Sequence, residues 1–319
     1  MCTIGAHTQM LATSVQKDKS IKRFSMEIRY IDRENKEIHI EHPPVEGLLK
    51  FLYNNPIGSK TILPIVKRKL ITKWYGKMMD KPSSTKKIKS FVDNFQININ
   101  ELEKRIEEFK SFNDFFYRKL KPNARKIGNG LISPGDGRIL TFENISDLNN
   151  FNIKGRKFTL AEFLVDDFLA EKYQNSSMAI LRLAPNDYHR YHFPYEGNPS
   201  KSIKIKGNYC SVSPYALFEN LTKVFCENKR EICSLNINNK KEILIISVGS
   251  TMVGSINSTY KPNTVVNKGE EMGYFSFGGS TVVLIFDSDI FKINQDLLEN
   301  TKSNLETYIK MGEEIAIEN

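Results

Sequence analysis

Apolar and polar positions alternate differently in the two parts of this chain. After residue 130, Gly and Pro punctuate short β-type runs: GLISPGDGRILTF, SSMAILRLAP, SKSIKIKGNY, KEILIISVGS, EEMGYFSFGG and STVVLIF. FTLAEFLVDD and SPYALFENLTKVF are the helical exceptions. Before residue 130, EIRYIDRENKEIHIEH is strand-like, and from Val45 the spacing turns helical. The segment SKTILPIVKRKLITKWYGKMM places Ile62, Val66, Leu70, Trp74 and Met78 four apart, with Lys67, Arg68, Lys69, Lys73 and Lys77 on the rest of the surface. DKPSS breaks that helix, and Ser84 or Thr85 is expected to cap the next one, KKIKSFVDNF. ELEKRIEEFKSF predicts a further helix, and NDFFYRKLKPNARKI a linker with an aromatic and basic cluster.

Neither βαβ alternation nor a G-x-G-x-x-G is present, which disfavours a dinucleotide fold. The expected fold class is α+β, an N-terminal amphipathic helical region followed by a β-rich catalytic body. The expected domains are a flexible leader (1–25), a basic, largely helical, membrane-associating region (26–130) and the body (131–319).

Charge sharpens that division. Residues 1–130 hold 26 Lys and Arg against 14 Asp and Glu, a net +12, whereas residues 131–319 hold 20 against 23, a net −3. A basic front on a near-neutral body points to an anionic surface, either phospholipid headgroups or nucleic acid phosphate. The stripe Ile62, Val66, Leu70, Trp74 and Met78, with Lys67 and Lys73 beside it, suits a helix lying in a membrane interface; an ordinary helix packed on its own domain has the same pattern. Phe115, Phe116 and Tyr117 form a second candidate anchor. No run approaches 18 apolar residues, and the first residues carry their basic charges after a weakly apolar stretch, the reverse of a secretory signal. A cytoplasmic protein is expected. Cys2, Cys210, Cys226 and Cys233 form no C-x-x-C pair, which argues against structural zinc and a disulfide framework.

Candidate chemistry concentrates in three motifs. His189 and His192 lie together in APNDYHRYHFPYEG, where Pro185, Pro194 and Gly197 indicate a loop or strand end. Without H-E-x-x-H or an evident third ligand, acid or base chemistry fits them better than a metal. SPGDGRI puts Asp136 at the tip of a tight turn; alone this is an Asx-turn, but beside a histidine pair the carboxylate is the natural orienter of an imidazole. In FGGST, Ser280 follows two glycines and opens a β-type run, so it is not the elbow of a serine hydrolase, which a helix follows. A glycine bulge is one reading. Another is that the Ser280 hydroxyl attacks the Gly279 carbonyl, and the resulting ester eliminates and hydrolyses to a pyruvoyl group.

Four separated stretches, FNDFFYRKLKPNARKI, SPGDGRI, APNDYHRYHFPYEG and KGEEMGYFSFGGSTVVLIF, resemble the phosphatidylserine decarboxylases, a family of pyruvoyl-dependent, membrane-associated proenzymes. The resemblance runs in order from about residue 40 to about 310, with FGGST in place of the more usual LGST. It implies a self-cleavage triad of Asp136, His192 and Ser280, and a role for His189 in decarboxylation. Cleavage between Gly279 and Ser280 would leave a β chain of residues 1–279 and an α chain of residues 280–319. The implied cofactor is a covalent pyruvoyl group made from Ser280, with no metal, and the implied reaction converts phosphatidylserine to phosphatidylethanolamine and CO2 through a Schiff base.

The implied partners are phosphatidylserine in an anionic membrane and the two chains of one proenzyme as a heterodimer, with a higher homo-oligomer left open and no nucleic acid. The implied location is peripheral, on the cytoplasmic face of the cell membrane. The family's N-E-R falls on Asn228, Lys229 and Arg230, a charge reversal at the middle position. Two readings compete: a serine hydrolase using Ser280, His192 and Asp136, which need not split itself, and a non-enzymatic basic module for membranes or nucleic acid, which would leave that constellation idle.

Overall fold

The computed structural model describes residues 28–41, 47, 55, 61, 74, 76–148, 158–208, 224–238, 241–249, 256–276, 278 and 280–319. Ser280–Phe286 forms a strand buried along its whole length. It is flanked by two antiparallel neighbours, Ser177–Leu183 and Lys241–Val248. A strand with partners on both edges and layers on both faces must be apolar at every position that packs, which is why STVVLIF is a continuous run rather than an alternating one.

In chain order the strands are β1 (Arg29–Asp32), β2 (Ile38–Ile40), β3 (Leu131–Ile132), β4 (Gly137–Phe142), β5 (Ser177–Leu183), β6 (Arg190–His192), β7 (Asn198–Pro199) and β8 (Ile203–Ile205), followed by β9 (Arg230–Asn238), β10 (Lys241–Val248), β11 (Ile256–Ser258), β12 (Glu271–Phe275), β13 (Ser280–Phe286), β14 (Phe291–Ile293), β15 (Glu306–Ile309) and β16 (Glu314–Glu318). Among the described residues the main sheet runs β2-β1-β15-β4-β5-β13-β10-β9-β7, with β8 also on β9. Two smaller sheets, β11-β12-β6 and β14-β16-β3, hold the other strands among the described residues. Helices whose full extent lies among the described residues include α1 (Lys86–Phe95), α2 (Phe112–Phe116), α3 (Leu160–Leu164), α4 (Asp167–Lys172) and α5 (Gln295–Lys302).

The period of two splits each central strand between two cores. Val282, Leu284 and Phe286 join Ala179, Leu181, Ile243 and Ile245 against Tyr191, Phe275, Phe291 and Ile293 of the smaller sheets. Val283 and Ile285 join Met178, Ile180, Leu244 and Ile246 against Leu160, Phe163 and Leu164 of α3. Each Val, Leu, Ile, Phe or Met side chain among these contributes about 1.5–3 kcal/mol relative to exposure. A third cluster gathers Met79, Ile88, Val92, Leu102, Phe109, Phe112, Phe115 and Phe116.

The architecture is α+β, as the alternation of periods predicts, with three differences in the N-terminal part. First, β1 joins the main sheet in parallel with β15, so residues before 130 supply part of the body's own sheet. Second, ELEKRIEEFKSF is not one helix. Leu102 bridges Leu120, Glu103 N–H donates to the Lys119 carbonyl and Lys121 N–H to the Glu101 carbonyl, and this pairing leaves only short 3-10 turns at Ile99–Glu101 and Ile106–Glu108. Third, the expected linker contains α2, capped by the Ser111 hydroxyl and buried through its phenylalanines. KKIKSFVDNF is helical as expected, but neither serine nor threonine caps it: Ser84 Oγ donates to the Met79 and Lys81 carbonyls and accepts from Phe112 N–H, tying α1 to α2. The leader 1–25 lies outside the described residues.

Candidate active site

Strand register brings the candidate residues to one end of the main sheet. Ser280 pairs with Leu183, and Ile309 with Gly137. The pairing of Val248 with Thr281 places Gly249 at the level of Ser280 on the other side. A Cβ on Gly137 would lie 2.5 Å from the Arg182 carbonyl oxygen, so only glycine lets the Asp136 turn enter the sheet this closely. β5 ends opposite Ser280, and the loop that leaves it carries Asp187, Tyr188 and His189. Phe275 N–H donates to the His189 carbonyl at 2.9 Å, fastening that loop to β12 just before the glycines. Gly278 adopts φ 135°, which side chains rarely tolerate; Gly279 lies outside the described residues.

Ser280 is fully buried, and its hydroxyl meets no hydrogen-bond partner among the described residues. The adjacent Thr281 hydroxyl is also buried and unpartnered. Buried polar atoms are nearly always paired, so unpaired ones at a strand start mark a place where chemistry outweighs stability.

The two histidines share a tautomer and differ in what the second nitrogen meets. His189 Nδ1 lies 2.9 Å from the Asp187 carbonyl, which makes it the N–H donor. Its Nε2 therefore carries the lone pair and makes no hydrogen bond of good geometry among the described residues, although the Gly278 backbone lies near enough to favour the protonated ring. Burial lowers the His189 pKa to about 3; the Asp187 carbonyl opposes the shift, Arg118 reinforces it and the Gly278 backbone opposes it. His189 is thus a neutral base, held against Phe116 with ring centroids 3.9 Å apart. His192 Nδ1 lies 2.9 Å from the Gly269 carbonyl, and its Nε2 accepts from the Tyr188 hydroxyl at 3.0 Å. Burial lowers the His192 pKa as well, with Gly269, Glu271 and Asp136 opposing it.

Asp136 does not hold His192 directly. One carboxylate oxygen accepts from Met311 N–H at 2.8 Å, and Arg125 reaches the two oxygens at 3.3 and 2.7 Å. Arg125 is fixed in turn by Glu101 at 2.7 Å. Burial works against the Arg125 charge, but Asp136 and Glu101 outweigh it and hold its pKa above the ordinary value. Both His192 nitrogens are occupied elsewhere, so the expected orienting hydrogen bond has no free site to form on. His192 N–H donates to the Pro134 carbonyl at 2.8 Å, which keeps it beside the Asp136 turn, and the carboxylate acts on it through space.

Sequence reasoning passed over a network of buried charges beneath the loop. Arg182 donates to Glu41 at 3.0 and 2.6 Å and to Glu306 at 2.9 Å. Arg138 bonds Asp187 and lies 3.4 Å from Glu41. Burial alone would raise the Glu41 pKa, but Arg182 and Arg138 hold it down at about 2. Asp187 also accepts from Ala184 N–H at 2.7 Å, so the same carboxylate that pairs with Arg138 closes the loop bearing His189. Asp187 and Arg118 both lie inside the motifs quoted above, which was the signal available in the sequence. Asn228 donates to the Gly249 carbonyl at 2.9 Å, and Arg230 spends its guanidinium on the Phe163, Cys226, Asn228 and Glu162 carbonyls at 2.7–2.9 Å.

Of the expected membrane residues, Trp74 is 61% exposed, whereas Met78 packs against the third cluster; Ile62, Val66, Leu70, Lys67 and Lys73 lie outside the described residues. Phe115 and Phe116 are fully buried and cannot serve as the alternative anchor, because the third cluster and His189 cover them. No helix among the described residues is long and apolar enough to cross a membrane.

A fully buried serine thus opens β13 directly after the two glycines, at the end of the main sheet where the loop bearing His189 leaves β5. The sequence profile of the family described as phosphatidylserine decarboxylase matches residues 112–317. A phosphatidylserine decarboxylase proenzyme of Fusobacterium nucleatum is 49% identical over 294 residues, covering 91% of this chain and 98% of the relative. Proenzymes of the same description from Desulfitobacterium hafniense and Clostridium botulinum (strain Hall) are 43% and 44% identical, each over 91% of this chain and 98% and 99% of theirs. The chain belongs to the phosphatidylserine decarboxylase family.

Proposed function

We propose that this chain is a proenzyme that splits between Gly279 and Ser280 and then converts phosphatidylserine to phosphatidylethanolamine and CO2. The observation that carries this reading is the Ser280 hydroxyl, fully buried and without a partner among the described residues, next to the glycine pair. In the splitting reaction Ser280 Oγ attacks the preceding carbonyl as its peptide nitrogen leaves, giving an ester. Elimination across the serine Cα and Cβ frees the Gly279 carboxylate, and water enters as ammonia departs to leave a pyruvoyl group. That group supplies an electrophilic carbonyl for the headgroup amine and an electron sink for the departing carboxylate.

The protein's residues do the rest. His189 Nε2, neutral and unpaired, takes the proton that the headgroup ammonium must lose and returns it to the carbon from which CO2 departs. His192 serves splitting; its Nε2 must leave the Tyr188 hydroxyl to reach Ser280 Oγ, while Asp136, through Arg125 and Met311, fixes the turn beside it. The 40 residues from Ser280 onward contain β13, which is hydrogen-bonded on both edges to strands of the other chain, so the two products stay together as a heterodimer. Exposed Trp74 and the basic front suit peripheral attachment to the cytoplasmic face of an anionic membrane.

Intact mass and a denaturing gel test the reading. The purified chain should run as two pieces, and the smaller should resist N-terminal amine sequencing and react with hydroxylamine. H192A should leave the chain uncut, whereas H189A should split and then release CO2 far more slowly per split chain. An unblocked serine terminus, or an uncut chain that decarboxylates phosphatidylserine, would overturn it.

A further inference from the structure

We propose that Arg118 recognises the phosphodiester of the headgroup and places the serine amine beside His189; this rests on the decarboxylase reading above. Arg118 is buried, and no carboxylate pairs with it among the described residues. The other buried arginines near the site each face one: Arg138 meets Asp187, Arg182 meets Glu41 and Glu306, and Arg190 meets Glu271 at 2.8 Å. Arg230 lacks a carboxylate too, but its three nitrogens all reach carbonyls at 2.7–2.9 Å. Arg118 is different. Its Nη2 donates to the Asn186 and Asp187 carbonyls at 3.1 Å each, Nη1 reaches only the Phe116 carbonyl at 3.5 Å, and Nε meets no acceptor among the described residues.

A buried cation without an anion is costly, and its attraction for an arriving anion is large because little water competes. Burial lowers the Arg118 pKa, and the charges of Asp136 and Asp187 offset this without supplying a hydrogen bond to it. The guanidinium is held on the Phe115 ring, 5.2 Å from its centroid, by the same helix whose Phe116 supports His189.

Position gives that charge a use. One oxygen, the Asp187 carbonyl, faces both Arg118 Nη2 at 3.1 Å and His189 Nδ1 at 2.9 Å, so guanidinium and imidazole flank a single atom. An anion on Arg118 therefore lies within a headgroup's length of the base. Two groups of the substrate are anionic, and catalysis chooses between them. An arginine clamped on the carboxylate would stabilise the group that must leave as neutral CO2, raising the barrier, whereas a grip on the phosphodiester is equal before and during the reaction and gives orientation.

The experiment uses split wild-type enzyme, R118Q and R118K with phosphatidylserine in mixed micelles. Both variants should split and keep hydroxylamine-reactive α chains. R118Q should raise KM about ten- to hundredfold, the effect of losing a charge-assisted hydrogen bond, with a smaller change in kcat, and R118K should recover part of it. Glycerophosphocholine, a phosphodiester whose quaternary amine cannot condense, should inhibit wild type competitively and R118Q at least about tenfold more weakly. Trimethylserine, a carboxylate without phosphate, should inhibit both alike. Equal inhibition of wild type and R118Q by glycerophosphocholine, a difference that follows trimethylserine instead, or failure of both variants to split would overturn the assignment. Wild-type enzyme that releases no CO2 from phosphatidylserine would overturn the decarboxylase reading itself, a separate outcome.

Discussion

Two sets of buried polar side chains meet at the same end of the main sheet and follow opposite rules. In one, Glu41, Arg138, Arg182, Asp187 and Glu306 face each other so that every charge lies against an opposite charge. In the other, Ser280 Oγ, Thr281 Oγ1 and His189 Nε2 are buried and unpaired among the described residues. Arg182 and Thr281 are direct neighbours across β5 and β13, so the two sets adjoin. The paired set fixes where the loop 184–189 sits; the unpaired set keeps donors and lone pairs unspent for a reaction. A group already satisfied by hydrogen bonds has to lose them before it can react, which is why scaffold and chemistry are divided between different residues.

The comparison is tested most severely at Ser280. Ser280→Ala should abolish both splitting and CO2 release while keeping the denaturation midpoint of the freshly translated, uncut wild-type chain almost unchanged, since an unpartnered hydroxyl contributes no hydrogen bond to lose. A large fall in the midpoint would place Ser280 in the scaffold. The converse change lies in the paired set: Asp187→Asn leaves Arg138 short of its charge partner and should cost about 3–5 kcal/mol in urea unfolding. The double variant R138M/D187L should recover much of that, because no buried charge is then left alone; a double variant as unstable as D187N would show that the charges themselves are needed.

Protons probe the unpaired set. His189 has a folded pKa of about 3, below its unfolded value, so the unfolded chain binds the extra proton as pH falls through the ordinary histidine range. Stability from this group is fully present above about pH 6.5 and is lost by about 1.4 kcal/mol per unit between there and pH 3. H189Q should flatten the slope in that window without removing it, because the His192 pKa is also lowered. The smallest effect is expected at Tyr188→Phe, which removes the hydroxyl on His192 Nε2 and should cost about 1 kcal/mol. Its splitting rate, followed on a gel after translation, should not fall; a fall would make the phenol part of the proton path.

Much of the body was legible in the sequence because its strands are short and bounded by Gly and Pro. STVVLIF, SSMAILRLAP and KEILIISVGS each contain a strand, and the side chains of all three fill both cores. ELEKRIEEFKSF was illegible for a stated reason: its apolar spacing suits a helix, but the backbone at 101–103 pairs with 119–121 across a gap no local pattern reveals. The aromatic run at 115–117 misled in the same way, since chemistry alone cannot say whether Phe116 meets lipid or the ring of His189.

By itself the sequence determined which residues hold chemistry: a serine after two glycines, two histidines three apart and an aspartate in a glycine turn. These signals are local, set by side-chain type and backbone freedom. Tertiary structure decided who faces whom. Among the described residues it turned Asp136 toward Arg125 rather than His192, gave His192 to Tyr188, left His189 Nε2 unpaired and left Arg118 without a carboxylate. Each of these depends on partners far apart in the chain or on neighbours whose rotamers the packing sets, and the free energy of a buried polar atom is fixed by those partners and not by its own identity.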